Sequence, residues 1–141
     1  MAYDSNNIFA RMVRGEIPCV RVCEDQQTLA FMDIMPQSDG HTLVIPKIAG
    51  ETIFDTPPAS LAAAIATTQR VARAVQQAFG AAGLVVTQFN GAAAGQTVLH
   101  LHFHVIPVYA AGGWRAHARA KADPAVLEAQ ATRIRAALAA G

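Results

Sequence analysis

His100-Leu101-His102-Phe103-His104-Val105-Ile106-Pro107-Val108 sets imidazoles against apolar side chains at strict period two. Side chains on a strand alternate between faces, so His100, His102 and His104 share one face. Leu101, Phe103 and Val105 share the other, which must be the core side. The pattern predicts a strand over 98–108 with three imidazoles on the face away from the packed core. Same-face neighbours lie roughly 6.6 Å apart along a strand, so the outer two backbones are about 13 Å apart. Three equal roles around one atom are therefore hard to arrange, and a division of labour is expected. His102 meets the electrophile, and its neighbours orient it and handle protons.

Imidazole suits phosphorus chemistry. With an ordinary pKa of about 6.5 it is largely neutral at pH 7 and keeps a lone pair. It can attack phosphorus and form a covalent intermediate that water later breaks. A second histidine can protonate the leaving group. Two other readings stand beside this one. Three rings could form an exposed structural stripe, or His-x-His could chelate a metal, although no carboxylate or cysteine lies at short range.

Just upstream, Asn90-Gly91-Ala92-Ala93-Ala94-Gly95-Gln96-Thr97 is a loop of small residues. Glycines let backbone N–H groups approach an anion, and Asn90, Gln96 and Thr97 add side-chain donors. Further back, an Ala-rich helical pattern runs from 57 or 58 to 79, with Thr56 as a candidate cap and Gly80 just past the end. Leu61, Ile65, Thr68, Val71 and Val75 mark its apolar face. Strands are expected at 20–24, 28–33, 42–45 and 84–89. A short helix follows the candidate caps Asp4-Ser5-Asn6 and stops at Gly15, and a C-terminal helix starts at Asp123-Pro124 and runs to about residue 139. Strands in hairpin-like neighbours around one long helix indicate an α+β fold with a mainly antiparallel sheet.

The chain has 141 residues, enough for one domain with a real core. Apolar residues make up 52% and charged ones 15%, a globular balance, and the net charge is +1. No clustered basic face is present for long nucleic acid, whereas a small anion held by backbone N–H groups remains open. Cys19 and Cys23 are too few for a disulfide framework and are expected as free thiols. The polar start Met1-Ala2-Tyr3-Asp4-Ser5 is no secretory signal, and no apolar run would span a bilayer. A cytoplasmic protein with no membrane partner is expected.

The run His100–Ile106 resembles the signature of the histidine triad (HIT) family: His, apolar, His, apolar, His, then two apolar residues. Gly95-Gln96-Thr97-Val98 before it and Ile106-Pro107 after it are similar to the family pattern. So are Phe31-Met32-Asp33-Ile34-Met35-Pro36-Gln37, Gly40-His41-Thr42-Leu43-Val44-Ile45-Pro46-Lys47, Ile8-Phe9 and Gly15-Glu16-Ile17-Pro18. The resemblance covers about residues 5–110 of a single 1–141 domain, with 111–141 as an extension and helix.

The resemblance implies a five-stranded antiparallel sheet, usually in a homodimer joined through the long helix and a sheet edge. It implies a hydrolase or transferase that cleaves a phosphoramidate or phosphoanhydride bond at the α-phosphate of a purine nucleotide. His102 would be the nucleophile and His104 would assist the leaving group. His100 would orient His102 through hydrogen bonds, and His41 would be the fourth histidine. Asp33 would accept from the ribose hydroxyls. Ile8, Phe9, Phe31 and Ile34 would form the slot for the base, and Asn90, Gly95, Gln96 and Thr97 would line the phosphate side. A nucleotide- or metal-binding regulatory module with incidental catalysis is the alternative.

Three departures from the family pattern stand out. Where many relatives carry a Cys-x-x-Cys that binds zinc, this chain has Asn7 and Ala10, so no cofactor and no structural zinc are expected. Phe89 precedes Asn90 where a polar residue is common. Val108 follows Ile106-Pro107 where an arginine is common. The basic stretch Trp114-Arg115 through Lys121 lies beyond the shared region; neutralising a leaving phosphate is one role open to it, and solvated surface is the favoured reading.

Overall fold

A computed structural model describes residues 2–115 and 120–141. In chain order the elements are α1 (Ile8–Val13), β1 (Arg21–Glu24), β2 (Thr28–Met32), β3 (Thr42–Pro46), α2 (Pro58–Phe79), β4 (Gly83–Thr87), β5 (Phe103–Val108) and α3 (Pro124–Ala140). The strands form one sheet in the order β1-β2-β3-β5-β4, and every neighbouring pair is antiparallel. This is the expected α+β architecture, with one long helix, a short N-terminal helix and a C-terminal helix.

Both faces of the sheet are covered at its centre, which is why every residue of β2 and β3 is buried. On one face α2 and α3 close over Ala30, Met32, Val44 and Val105 through Val71, Val75, Leu127 and Ile134. On the other, Phe9 of α1 packs with Leu29, Phe31, Leu43 and Ile45. The histidines project toward this second, thinner layer.

Local chemistry sets the boundaries. Asn7 caps α1 by accepting from the Ala10 N–H (2.9 Å), so the cap falls one residue beyond the expected Asp4–Asn6. Thr56 does not cap α2; its hydroxyl donates to the Thr52 carbonyl (2.7 Å), and Pro57 stands at the cap without a side-chain bond. The buried face of α2 is Ala64, Thr67, Thr68, Val71, Ala74 and Val75, while Ile65 points outward. Thr67 belongs inside because its hydroxyl pairs with that of Thr28 (2.8 Å). Gly40, at φ +94°, turns the chain into β3, and a Cβ there would stand 3.0 Å from the Phe79 ring.

The last strand is shorter than the alternation predicts. β5 starts at Phe103, so His100 and His102 precede it. The partner strand ends at Pro46, which has no N–H for a ladder. Its carbonyl accepts instead from the His100 ring (2.7 Å), and the Leu101 N–H goes to the Gly50 carbonyl (2.9 Å). β4 likewise ends at Thr87 rather than 89. Among the described residues, no helix is long and apolar enough to cross a membrane.

Candidate active site

The three histidines are not an exposed stripe: His100, His102 and His104 are all buried, as is His41. Alternation still governs the inner two. The His102 and His104 rings lie 5.0 Å apart, and both line a hollow of about 280 Å³ under α1. The His100 ring has other partners. Its Nε2–H donates to the Pro46 carbonyl, and its Nδ1 accepts from the Tyr3 hydroxyl (2.5 Å), which in turn accepts from Asn7 Nδ2 (2.9 Å). The His100 ring therefore ties the N-terminal segment to the end of β3.

His100 does orient His102, but through its backbone. The His100 carbonyl accepts from His102 Nδ1–H at 2.7 Å, which leaves the lone pair on Nε2. Phe9 stands edge-on to the His102 ring, with centroids 4.9 Å apart. Burial holds the His102 pKa below its ordinary 6.5, against the weaker upward pull of the His100 carbonyl and the Asp33 charge. Burial lowers His100 as well. An imidazole held neutral this way keeps its lone pair across neutral pH. If His102 is the nucleophile, rate against pH should be flat near 7 and fall only through a midpoint below 6.5. An acid limb centred at or above 6.5 would contradict this assignment. The sign for stability is the same: the contribution is intact above about 6.5 and is lost as pH falls from there through the folded pKa.

A second hydrogen-bond line runs through His41. The Gln37 N–H donates to His41 Nδ1 (3.0 Å), so the ring proton sits on Nε2. That Nε2–H faces His104 Nδ1 at 3.0 Å and Asp33 Oδ2 at 3.4 Å. His104 Nδ1 is thereby the acceptor, and its proton is on Nε2. One ring of the pair that lines the hollow thus offers a lone pair and the other an N–H. These tautomers follow from the hydrogen-bond network.

The rest of the hollow is apolar. Phe9 and Phe31 form its floor, edge to face at 5.2 Å, and the exposed Ile8 and Ile34 form its rims. Asp33 sits at one end, its Oδ1 accepting from the Met35 N–H (2.8 Å). Met12 lines it too, and so do Met32, Met35, Leu43 and Val98, which were not assigned to the slot from the sequence. Their signal there is only that of ordinary core residues. Tyr3, too, gives no sign in the sequence of its bond to His100.

The loop expected to line a phosphate is held differently from expectation. Thr97 lines the hollow, whereas Gln96 is buried and its amide is fully engaged. Its Oε1 accepts from the Gly91 N–H (2.8 Å), and its Nε2 donates to the carbonyls of Glu51 (2.6 Å) and Val98 (3.0 Å). Asn90 accepts from the Ile53 N–H (2.7 Å) and exchanges bonds with Gln88. These two side chains lash the 91–97 loop to the 50–55 loop, so they shape it rather than line the hollow. Gly95 is exposed at φ +108°, a conformation that suits glycine.

Among the described residues, Asp33, His41 and His104 bring ligand-type atoms within 4.8 Å of one another. The tautomer opposes a metal there, because the Gln37 N–H forces the His41 proton onto the nitrogen that would have to ligate. The zinc positions of the resemblance fit no better. Asn7 spends its side chain on the α1 cap, Tyr3 and the Asp4 carbonyl, and Ala10 has no donor. Residues 116–119 of the basic stretch lie outside the described residues. Arg115 is described, and it contacts the loop that carries Asp33 rather than solvent alone.

An antiparallel sheet that buries alternating imidazoles beneath a short helix, with a fourth histidine immediately before the neighbouring strand, defines a histidine-triad α+β domain. The chain belongs to the HIT family, whose profile, described as "HIT domain", matches residues 14–111. Its fold is similar to that of a HIT-like protein from Bartonella henselae, crystallised with an unknown ligand, at TM-score 0.91 and 49% identity over 97% of this chain and 99% of the other. It is 41% identical to the adenosine 5'-monophosphoramidase hnt1 of Schizosaccharomyces pombe, over 71% of this chain and 72% of that protein. It is 39% identical to the adenylylsulfatase HINT3 of Arabidopsis thaliana over 71% of this chain, a match that spans 51% of the plant protein's length.

Proposed function

We propose that this protein hydrolyses or transfers the nucleoside monophosphate of a purine nucleotide, from a phosphoramidate or phosphoanhydride, through a covalent nucleotidyl-His102. One observation carries the reading. His102 donates through Nδ1 to the His100 carbonyl, which leaves Nε2 as a neutral nucleophile on a ring that lines an apolar hollow. His104 beside it presents the complementary N–H, and we assign the ribose hydroxyls to Asp33, which lines the same hollow. The enzymatic names of the yeast and plant relatives support the same class.

In the first half, His102 Nε2 attacks the α-phosphorus and the bond to the leaving nitrogen or oxygen breaks. Its electron pair goes to that atom, which takes its proton from solvent, and His104 Nε2–H steadies it with a hydrogen bond. In the second half, water attacks phosphorus, loses a proton to solvent, and the P–N bond returns its pair to His102. The test is release of AMP from adenosine phosphoramidate, adenylyl sulfate and a diadenosine polyphosphate. Turnover of at least one is expected, and turnover of none would overturn the reading.

The cluster of Asp33, His41 and His104 gives the metal-binding alternative a geometric basis. Elemental analysis of the purified protein separates the two. No stoichiometric metal is expected, and one bound tightly at the triad would favour the alternative.

A homodimer is the assembly we propose. β4 is a sheet edge, Val85 and Val86 on it are 40% and 45% exposed, and Ile65 on α2 is 48% exposed. An unpaired apolar sheet edge and an exposed apolar helix position are surfaces that a second copy covers. Sedimentation equilibrium should give twice the 14.9 kDa chain mass. A monomer at micromolar concentration would contradict this assembly.

A further inference from the structure

The chain beyond β5 returns to the site from behind. The Arg115 N–H donates to the Gln37 carbonyl (2.5 Å), its Nε–H to the Pro36 carbonyl (3.1 Å), and its Nη2 to Asp39 Oδ1 (3.1 Å). The Ala122 N–H holds the Ile34 carbonyl (2.9 Å). The Pro36 carbonyl and the Gln37 N–H belong to one peptide group. Both ends of that group are engaged: the carbonyl by a guanidinium, and the N–H by His41 Nδ1 (3.0 Å). His41 Nε2–H then donates to His104 Nδ1 (3.0 Å), with Asp33 Oδ2 at 3.4 Å as a second acceptor.

The Arg115–Pro36, Gln37–His41 and His41–His104 bonds run in one direction, from a permanent cation to the ring beside His102. Hydrogen bonds in such a chain polarise one another, and a charged donor at its head makes the first bond the strongest. Electron density drawn toward the guanidinium makes each N–H along the line a better donor. The last of them is His104 Nε2–H.

We propose that Arg115 is a positioning residue that acts through the Pro36–Gln37 peptide and His41 to strengthen His104 Nε2–H toward the leaving atom. The inference rests on the nucleotide-hydrolase reading above. The ion pair with Asp39 is not the working part. The two side chains are 46% and 63% exposed, and such pairs contribute little.

The test compares Arg115→Ala, Arg115→Lys and Asp39→Asn with the parent. One substrate is an AMP phosphoramidate with an alkylamine leaving group, which develops much charge. The other is the 4-nitrophenyl ester of AMP, which needs little help. Arg115→Ala should lose about tenfold in kcat on the alkylamine substrate and less than about twofold on the ester, a fraction of what proton-donor catalysis contributes. Arg115→Lys should recover part of the loss, and Asp39→Asn should behave as the parent. Independently, the His41 Nε2–H proton resonance should move upfield in Arg115→Ala.

Equal losses on both substrates would reduce Arg115 to a structural clamp and overturn the proposal. So would no loss, or an unmoved ring proton. If the parent turns over neither substrate, the functional reading has failed. The ring-proton shift alone then decides whether Arg115 reaches His41.

Discussion

His102→Ala is expected to lower kcat by about 10⁴-fold or more, the scale on which removal of a covalent nucleophile is felt. KM should change little. The slot of Ile8, Phe9, Phe31 and Ile34, with Asp33 at its end, does not depend on the His102 ring for its shape. The carbonyl of His100 and the second line from Gln37 through His41 to His104 also survive the substitution. What is lost is the Nε2 lone pair. Steady-state kinetics on adenosine phosphoramidate reads this directly, and residual activity within about tenfold of the parent would show that attack occurs elsewhere.

The second large effect is on stability. Phe31→Ala should cost about 3–5 kcal/mol of unfolding free energy, the range for deleting a buried aromatic side chain. Phe31 is 2% exposed on an inner strand, edge-on to Phe9 and opposite Leu43 on β3. Few atoms back this layer, because α1 has only six residues. The cavity would open into the hollow itself, so KM for a purine nucleotide should rise along with the loss of stability. Urea unfolding followed by circular dichroism gives the number. A change under about 1 kcal/mol would mean that the slot floor collapses without cost or is not packed as described.

Much of the fold was legible because it rests on local signals. The strand returning from a turn at 28–33, the β-branched run at 42–45 and the cap-then-proline start of α3 yielded elements within a residue or two of those observed. Ile65 was misplaced because helical spacing alone does not say which of two adjacent stripes faces the sheet. The Thr28–Thr67 hydrogen bond, which settles it, joins residues 39 apart in the chain.

The site was legible in type and less so in wiring. Period two placed His102 and His104 side by side, but it could not show that Pro46 ends the partner strand and draws away the His100 ring. Gln96 and Asn90 looked like phosphate donors by composition. Their partners, Glu51 and Ile53, come from a loop about forty residues earlier, a separation that no local pattern reveals. Arg115 read as surface for the same reason, since its partners Pro36 and Gln37 lie far upstream.

The most direct test is to react the protein briefly with adenosine phosphoramidate, quench it in base, where a phosphorus–imidazole bond survives, and map the peptides by mass. An AMP adduct on His102, absent from His102→Ala, is the expected result. Turnover with no adduct, or an adduct on His41, His100 or His104 instead, would contradict a covalent role for His102.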